Sequence, residues 1–317
     1  MQLYLAPMEE ITGYIFRNVT ERHFPGADKY ITPFVVPNQR NIIKTKDGRE
    51  ITPEHNEGKH VVIQVLTNNA EHFLELAEYI YGLGYDEINL NFGCPSNTVT
   101  KKFRGSGMLI DLKRTDEFLN EIFSSKAVRD HKLSIKTRIG YDSDEYWDET
   151  VDIFNRYPIS ELIVHPRIKT DMYGNTPRME HFNYAMENYR GELGYNGDIY
   201  CAARYLELLK EFEGSNVTSM MIGRGAVANP GIFREIRTGK RAVTDEIRDW
   251  HDELFEEYAV TFSPKDAMFK LKEVWFYLGN SFEGIEKQLK AIRKSTTEAD
   301  YKAAVREIWR EEFAPQK

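Results

Sequence analysis

Residues 87–97 read EINLNFGCPSN. From Glu87 to Asn91 an acid and two amides alternate with isoleucine and leucine, the period-two pattern of a strand. Gly93-Cys94-Pro95 then breaks that pattern into a turn. One of only two cysteines therefore stands at the carboxyl end of a strand, in a loop opened by glycine and proline. A free cysteine is most often a small buried hydrophobe, and a Gly-Pro turn argues against that fate for Cys94. The other cysteine, Cys201, opens a helical pattern and carries no such signal.

Working outward, seven more short apolar or β-branched runs recur: Leu3–Ala6, Lys29–Thr32, Val61–Leu66, Leu133–Thr137, Glu161–Val164, Glu192–Tyr195 and Ser219–Ile222. Amphipathic helical patterns lie between them, among them Glu71–Tyr81, Asp116–Ser124, Glu145–Tyr157 and Ala202–Glu213. Eight such units in about 235 residues match the size and rhythm of a (β/α)8 TIM barrel. A doubly wound sheet would need a glycine-rich phosphate loop after its first strand. Here the first strand runs into Ala6-Pro7-Met8, and no GxGxxG follows. Past Pro230 the alternation gives way to helix patterns at Asp245–Val260, Pro264–Leu278, Gly284–Ser295 and Glu298–Glu312. The predicted fold is α/β: a TIM barrel over 1–238, followed by a small C-terminal helical bundle over 239–317.

Composition sets the remaining bounds. The chain of 317 residues is 41% hydrophobic, enough for a sizeable core. It has no apolar run long enough to cross a membrane, and its first residues lack a signal-peptide pattern. Two distant cysteines without a CxxC predict a reducing, cytoplasmic setting and no metal site. With 42 basic and 50 acidic residues the net charge is −8, which by itself speaks against a nucleic-acid partner. The helical tail differs: Lys265 to Lys294 holds seven basic and four acidic residues, a local balance of +3. Lys101, Lys102 and Arg104 add charge just after Cys94. Basic patches on an acidic protein can hold RNA locally. Trp275, Phe276 and Tyr277 read as core of the bundle rather than as stacking platforms.

Chemically loaded residues end nearly every strand: Pro7-Met8, Gln64, Asn91 and Cys94, Lys136 and Arg138, His165 and Arg167, Asn196-Gly197-Asp198, and Gly223-Arg224-Gly225. In a TIM barrel these ends converge on the catalytic face. Alternation turns Lys136 and Arg138 to the side of Ser134, and a lysine in an apolar strand calls for an anionic partner. A reduced flavin, with charge at its N1–C2=O edge, is such a partner. Ile222-Gly223-Arg224-Gly225 suggests a phosphate cradle built from glycine amides, a bidentate arginine and a helix start.

The ordered set LAPME at 5–9, QVL at 64–66, NFGCP at 91–95, GSGM at 105–108, KTRIG at 136–140, HPR at 165–167, NGDI at 196–199 and MIGRG at 221–225 resembles the tRNA-dihydrouridine synthases. The resemblance spans the whole barrel and implies a tightly bound FMN, NADPH as reductant and tRNA as substrate. It implies that Pro7, Met8 and Glu9 lie along the FMN and that Gln64 bonds its ring. Lys136 and His165 would flank the flavin, while Asn196, Gly197, Asp198, Gly223 and Arg224 would hold the ribityl chain and phosphate. Cys94 would be the catalytic acid, with Asn91, Arg138, Arg167, Lys101 and Lys102 on the substrate side. A monomer is the simplest expectation. Two departures stand out: Ile168 where the family has threonine, with Pro166 before it, and Glu10 where glycine is common. Two other readings remain open at this point, a flavoenzyme of a free pyrimidine resembling dihydroorotate dehydrogenases, and a non-catalytic tRNA-binding protein.

Overall fold

The computed structural model describes residues 1–37, 42–43 and 45–315. Eight parallel strands close into one barrel in sequence order. They are β1 (Gln2–Leu5), β2 (Lys29–Ile31), β3 (Val61–Val65), β4 (Glu87–Phe92), β5 (Lys132–Gly140), β6 (Leu162–Ile168), β7 (Leu193–Tyr195) and β8 (Val217–Ile222). Each falls on one of the eight sequence runs. β5 and β6 extend further than expected, to Gly140 and Ile168, because they pair with each other past an irregularity at Arg138/Gly140. A parallel strand with helices outside and a core inside is buried on both faces. β3 and β4 are buried at every residue.

The chain folds as two compact units. The first comprises Met1–Pro7, Lys29–Gly197 and Phe212–Met221. Inside the barrel, Tyr4, Ala6, Ile31, Val62, Ile163 and Met221 form a fully buried apolar cluster. Buried polar side chains from β2 to β6 and from β8 add to it, among them Lys29, Gln64, Asn89, Ser134, Arg167 and Ser219. The register sets Gln64 beside Asn89, Asn91 beside Lys136, and Arg138 beside His165. Gly194 on β7 has no room for a side chain, since a Cβ would come within 2.6 Å of Ser219 Oγ and 3.1 Å of Glu161 Oε1.

The second unit comprises Met8–Asp28, Asp198–Glu211 and Ile222–Lys317. All four C-terminal helix patterns form, as Thr244–Thr261, Pro264–Leu278, Glu286–Lys294 and Glu298–Ile308. Ser263 caps the second of these by accepting from Asp266 N, with Pro264 at the first turn, and Thr297 caps the fourth through Asp300 N. Trp250 packs edge-on against Phe16 and donates to Thr20 Oγ1. Trp275 donates to Tyr301 Oη at 3.0 Å within a cluster that includes His251 and Trp309. Trp275 is thus core, as expected. Phe276 is not: it is 69% exposed, because the apolar stripe of its helix runs through Leu271, Val274, Trp275 and Leu278 and leaves 276 on the outer face.

Glu10 adopts a left-handed backbone, φ 64°. That conformation is free for glycine and unfavourable for glutamate, which gives the family's usual glycine a physical reason. Here the Glu10 carboxylate lies 3.5 Å from Lys270 Nζ, a partial compensation.

Candidate active site

The Cys94 loop follows β4 directly, and its backbone is anchored on every side. Asn91 Oδ1 accepts from both Gly93 N (3.0 Å) and Cys94 N (2.7 Å). The Cys94 carbonyl accepts from Ser106 N and Ser106 Oγ, at 3.1 and 2.9 Å. The Gly93 carbonyl accepts from Arg138 Nε at 3.1 Å. Gly105 sits against this loop with φ 57°, and a Cβ there would meet Cys94 O at 2.8 Å and Cys94 Cβ at 2.9 Å. The GSG stretch of the sequence is therefore the clamp that holds the thiol's loop, a role that only spatial proximity shows. The Cys94 side chain itself is half-buried.

The side chain of Lys136, level with Asn91 on the neighbouring strand, makes no hydrogen bond or ion pair among the described residues. It keeps a partly open surface, yet protein surrounds its ammonium. Burial, reinforced by the nearby Arg138 guanidinium and opposed by Cys94, pushes it down to about 7. An unpartnered cation in that setting fits an anionic ligand.

Arg138 and Arg167 are both almost fully buried, and both hold loop carbonyls. Arg138 bonds Gly93 O, Ile168 O and Met172 O, three of its five donors. Burial pulls it down to about 10, partly offset by Tyr173. Arg167 bonds Gly174 O and Asn175 O, and its Nη1 lies 3.0 Å from His165 Nε2. An arginine N–H can only donate, so Nε2 of His165 is the acceptor and the ring proton lies on Nδ1. Two of the carbonyls held, those of Met172 and Asn175, belong to residues at positive φ, 51° and 55°. The arginines thus fix a strained loop after β6. Ile168, where the family has threonine, contributes its carbonyl to Arg138 and its amide to Asp171.

Gln64 and Asn91 are joined by an amide–amide bond of 2.8 Å. Asn196 ties β7 to its neighbours, donating to Met221 O from its side chain and to Val164 O from its backbone amide. Gly197 tolerates no Cβ beside the Tyr195 ring. Pro7, two residues past β1, is half-buried, and Lys101 and Lys102 are exposed after the Cys94 loop.

The other expected residues lie in the second unit. Met8 accepts amide bonds from Ile11 and Thr12, and Glu9 is exposed. Gly223 precedes the short helix Arg224–Ala228, and Gly225 packs so tightly that a Cβ would overlap Ile199 O. Arg224 is paired with Asp198 at 2.6 Å and lies over the Tyr200 ring. It lines a cavity of about 170 Å³ with Tyr200, Phe276, Tyr277 and Asn280. Among the described residues no group of three or more His, Cys, Asp or Glu side chains could hold a metal, and no helix is long and apolar enough to cross a membrane.

A closed parallel barrel that gathers a half-buried thiol, a buried lysine and a histidine at its strand ends has the architecture of a TIM-barrel enzyme. The chain matches the dihydrouridine synthase (Dus) family model over residues 4–314 and belongs to that family, so the reduction its residues serve is flavin-dependent. A probable tRNA-dihydrouridine synthase of Staphylococcus epidermidis is 28% identical over 271 residues, covering 80% of this chain and 78% of the relative. tRNA-dihydrouridine synthase B of Shewanella oneidensis is 26% identical over 286 residues, covering 87% and 86%. Among solved structures, a variant of NCR from Zymomonas mobilis has a TM-score of 0.51 at 12% identity, covering 78% of this chain and 90% of that one. A GH18 chitinase from Pseudoalteromonas aurantia also reaches 0.51, at 11% identity over 75% and 99%. That two different enzymes match equally well means the likeness carries the barrel and no activity.

Proposed function

We propose that this protein reduces uridine in tRNA to 5,6-dihydrouridine, with FMN as its flavin and NADPH as the reductant. The observation that carries the site assignment is Lys136, a lysine pushed down to about 7 by burial, whose side chain makes no hydrogen bond or ion pair among the described residues. Such a group is costly unless a ligand supplies negative charge. The pyrimidine edge of a reduced flavin does so. Gln64 on β3 and His165 on β6 would offer amide and imidazole groups to the same ring. The phosphate expectation rests on Gly223 and Arg224.

Reduction of C5=C6 adds a hydride at C6 and a proton at C5, because conjugation to the C4 carbonyl makes C6 electrophilic. When bound, a reduced flavin supplies the hydride. Cys94 would hold the proton for C5, since a protonated thiol can serve as a general acid. Its loop is fixed by Asn91, Ser106 and Arg138, so the proton stays in one place. The assay is direct. Protein reconstituted with FMN and supplied with NADPH should form dihydrouridine in a tRNA transcript lacking modifications. Reduction of free uridine or orotate with none in tRNA would instead select the free-pyrimidine reading.

The helix Pro264–Leu278 supplies the RNA-facing surface in this proposal. Lys265, Phe269, Lys272 and Phe276 follow each other at helical spacing, and Phe269 and Phe276 are exposed. Lys272 Nζ lies 4.9 Å from the Phe269 ring centre. Aromatics interleaved with cations are how single-stranded nucleic acid is held, at about 1–3 kcal/mol per stacked base. Phe276→Ala is therefore expected to weaken tRNA binding by about 5- to 160-fold with the melting temperature unchanged. Filter binding at fixed salt reads this, and parent-like affinity would remove Phe276 from the interface.

A further inference from the structure

One unbroken series of side-chain hydrogen bonds runs inside the barrel from the start of β2 to the Cys94 loop. Lys29 Nζ donates to Glu87 Oε2 at 2.8 Å, and Ser134 Oγ donates to Glu87 Oε1 at 2.7 Å. Asn89 Nδ2 donates to Ser134 Oγ (3.0 Å), Gln64 Nε2 to Asn89 Oδ1 (2.8 Å), and Asn91 Nδ2 to Gln64 Oε1 (2.8 Å). Asn91 Oδ1 then accepts the Gly93 and Cys94 amides. Glu87, Asn89, Gln64 and Ser134 are all buried, at 3% exposure or less.

The direction of every link is forced from both ends. Glu87, paired with Lys29, offers only acceptors to Ser134, so the single hydroxyl proton goes to Glu87 and the oxygen must accept from Asn89. That turns the Asn89 oxygen to Gln64, the Gln64 oxygen to Asn91, and the Asn91 oxygen to the loop. From the other end, the Gly93 and Cys94 amides can only donate, and they demand the same Asn91 orientation. A single reversed amide would leave two donors or two acceptors facing each other among buried side chains. The one competing acceptor is Ile88 O, 3.4 Å from Ser134 Oγ and so much the longer bond. Lys29 also lies 3.7 Å from Glu161, whose other oxygen accepts from Ser219.

We propose that Lys29, Glu87, Ser134 and Asn89 are positioning residues that set the orientation of the Gln64 and Asn91 amides and thereby the placement of Cys94. The inference rests on the catalytic reading of Cys94, but its structural part is independently readable through the thiol's reactivity.

Glu87→Gln tests it with an isosteric change far from the thiol. Lys29 claims the new amide oxygen, so the amide NH2 faces Ser134, and the reversal propagates until the Asn91 NH2 opposes the Gly93 and Cys94 amides. Turnover on tRNA is expected to fall about tenfold, and alkylation of Cys94 by iodoacetamide, read by mass spectrometry, to speed up as the loop loosens. Adding Asn89→Asp supplies acceptors toward both Ser134 and Gln64. The double variant E87Q/N89D restores one consistent direction and keeps the buried charge count. It is expected to regain turnover and alkylation rate to within about threefold of the parent. A purely structural role for Glu87 predicts that two changes hurt more than one. The proposal is overturned if E87Q matches the parent in both readouts, or if the double variant is no better than E87Q. Should E87Q alone fail to fold, a folded double variant with parent-like alkylation supports the relay, and one that is also unfolded overturns it. Parent-like alkylation without any tRNA activity, in the parent as well, would sink the catalytic reading and leave the relay standing.

Discussion

Replacing Cys94 by alanine is expected to lower turnover on tRNA by about 10²- to 10⁴-fold, the range for losing a positioned general acid, while FMN stays bound with its spectrum intact. The thiol is half-buried in a loop whose amides, carbonyl and neighbouring glycine carbonyl are all fixed by other groups. Its removal deletes the proton donor and leaves those bonds in place, so the melting temperature should hardly move. Cys94→Ser keeps the shape but offers a far weaker acid, so it should resemble alanine rather than the parent. The decisive measurement is single-turnover oxidation of the reduced enzyme by tRNA. If Cys94→Ala reoxidises at the parent rate with full dihydrouridine yield, the acid lies elsewhere.

Lys136→Met should abolish turnover and weaken FMN binding, and it should also change how the ligand-free protein responds to pH. The folded lysine titrates at about 7 and the unfolded one near 10.5, because burial disfavours the ammonium. Below pH 7 both states carry the proton, and the folded state bears the full cost of the buried charge. Between about 7 and 10.5 the unfolded chain binds the proton that the folded chain has released, so stability rises with pH across that window. Lys136→Met removes this slope and raises the stability of the ligand-free protein below pH 7 by a few kcal/mol. Urea melts at pH 6.5 and 9.5 measure both effects. A parent protein with no rise between those values, or a methionine variant that keeps it, would contradict the buried, unpartnered lysine.

The barrel is legible because its determinants are local. Apolar or alternating runs such as Val61–Leu66 and Glu87–Asn91, separated by helical patterns, fix element type by burial alone, and all eight strands fall where those runs lie. The departure at Glu10 is visible too, although its meaning is not. Only the backbone reveals that this position is left-handed and that Lys270 stands beside it. Phe276 departs from the core expectation because it follows the core residue Trp275, and a one-residue step on a helix turns a side chain by about 100°. Its exposure follows from which face the unit's interior selects.

The residues of the candidate site are all present in the sequence as isolated polar letters at strand ends. Their employment is not. That Arg138 holds three carbonyls, that Arg167 leaves His165 neutral, and that Gly105 and Ser106 clamp a cysteine more than ten positions earlier are consequences of barrel closure. The chemistry-bearing types and their order along the chain are thus properties of the sequence by itself, since each strand's end is marked by its own turn. Which amide faces which, and hence where the thiol is held, was decided only by tertiary structure. Hydrogen-bond polarity inside a closed barrel passes between strands distant in sequence, from Lys29 through Glu87, Ser134, Asn89 and Gln64 to Asn91 and the Cys94 loop in EINLNFGCPSN.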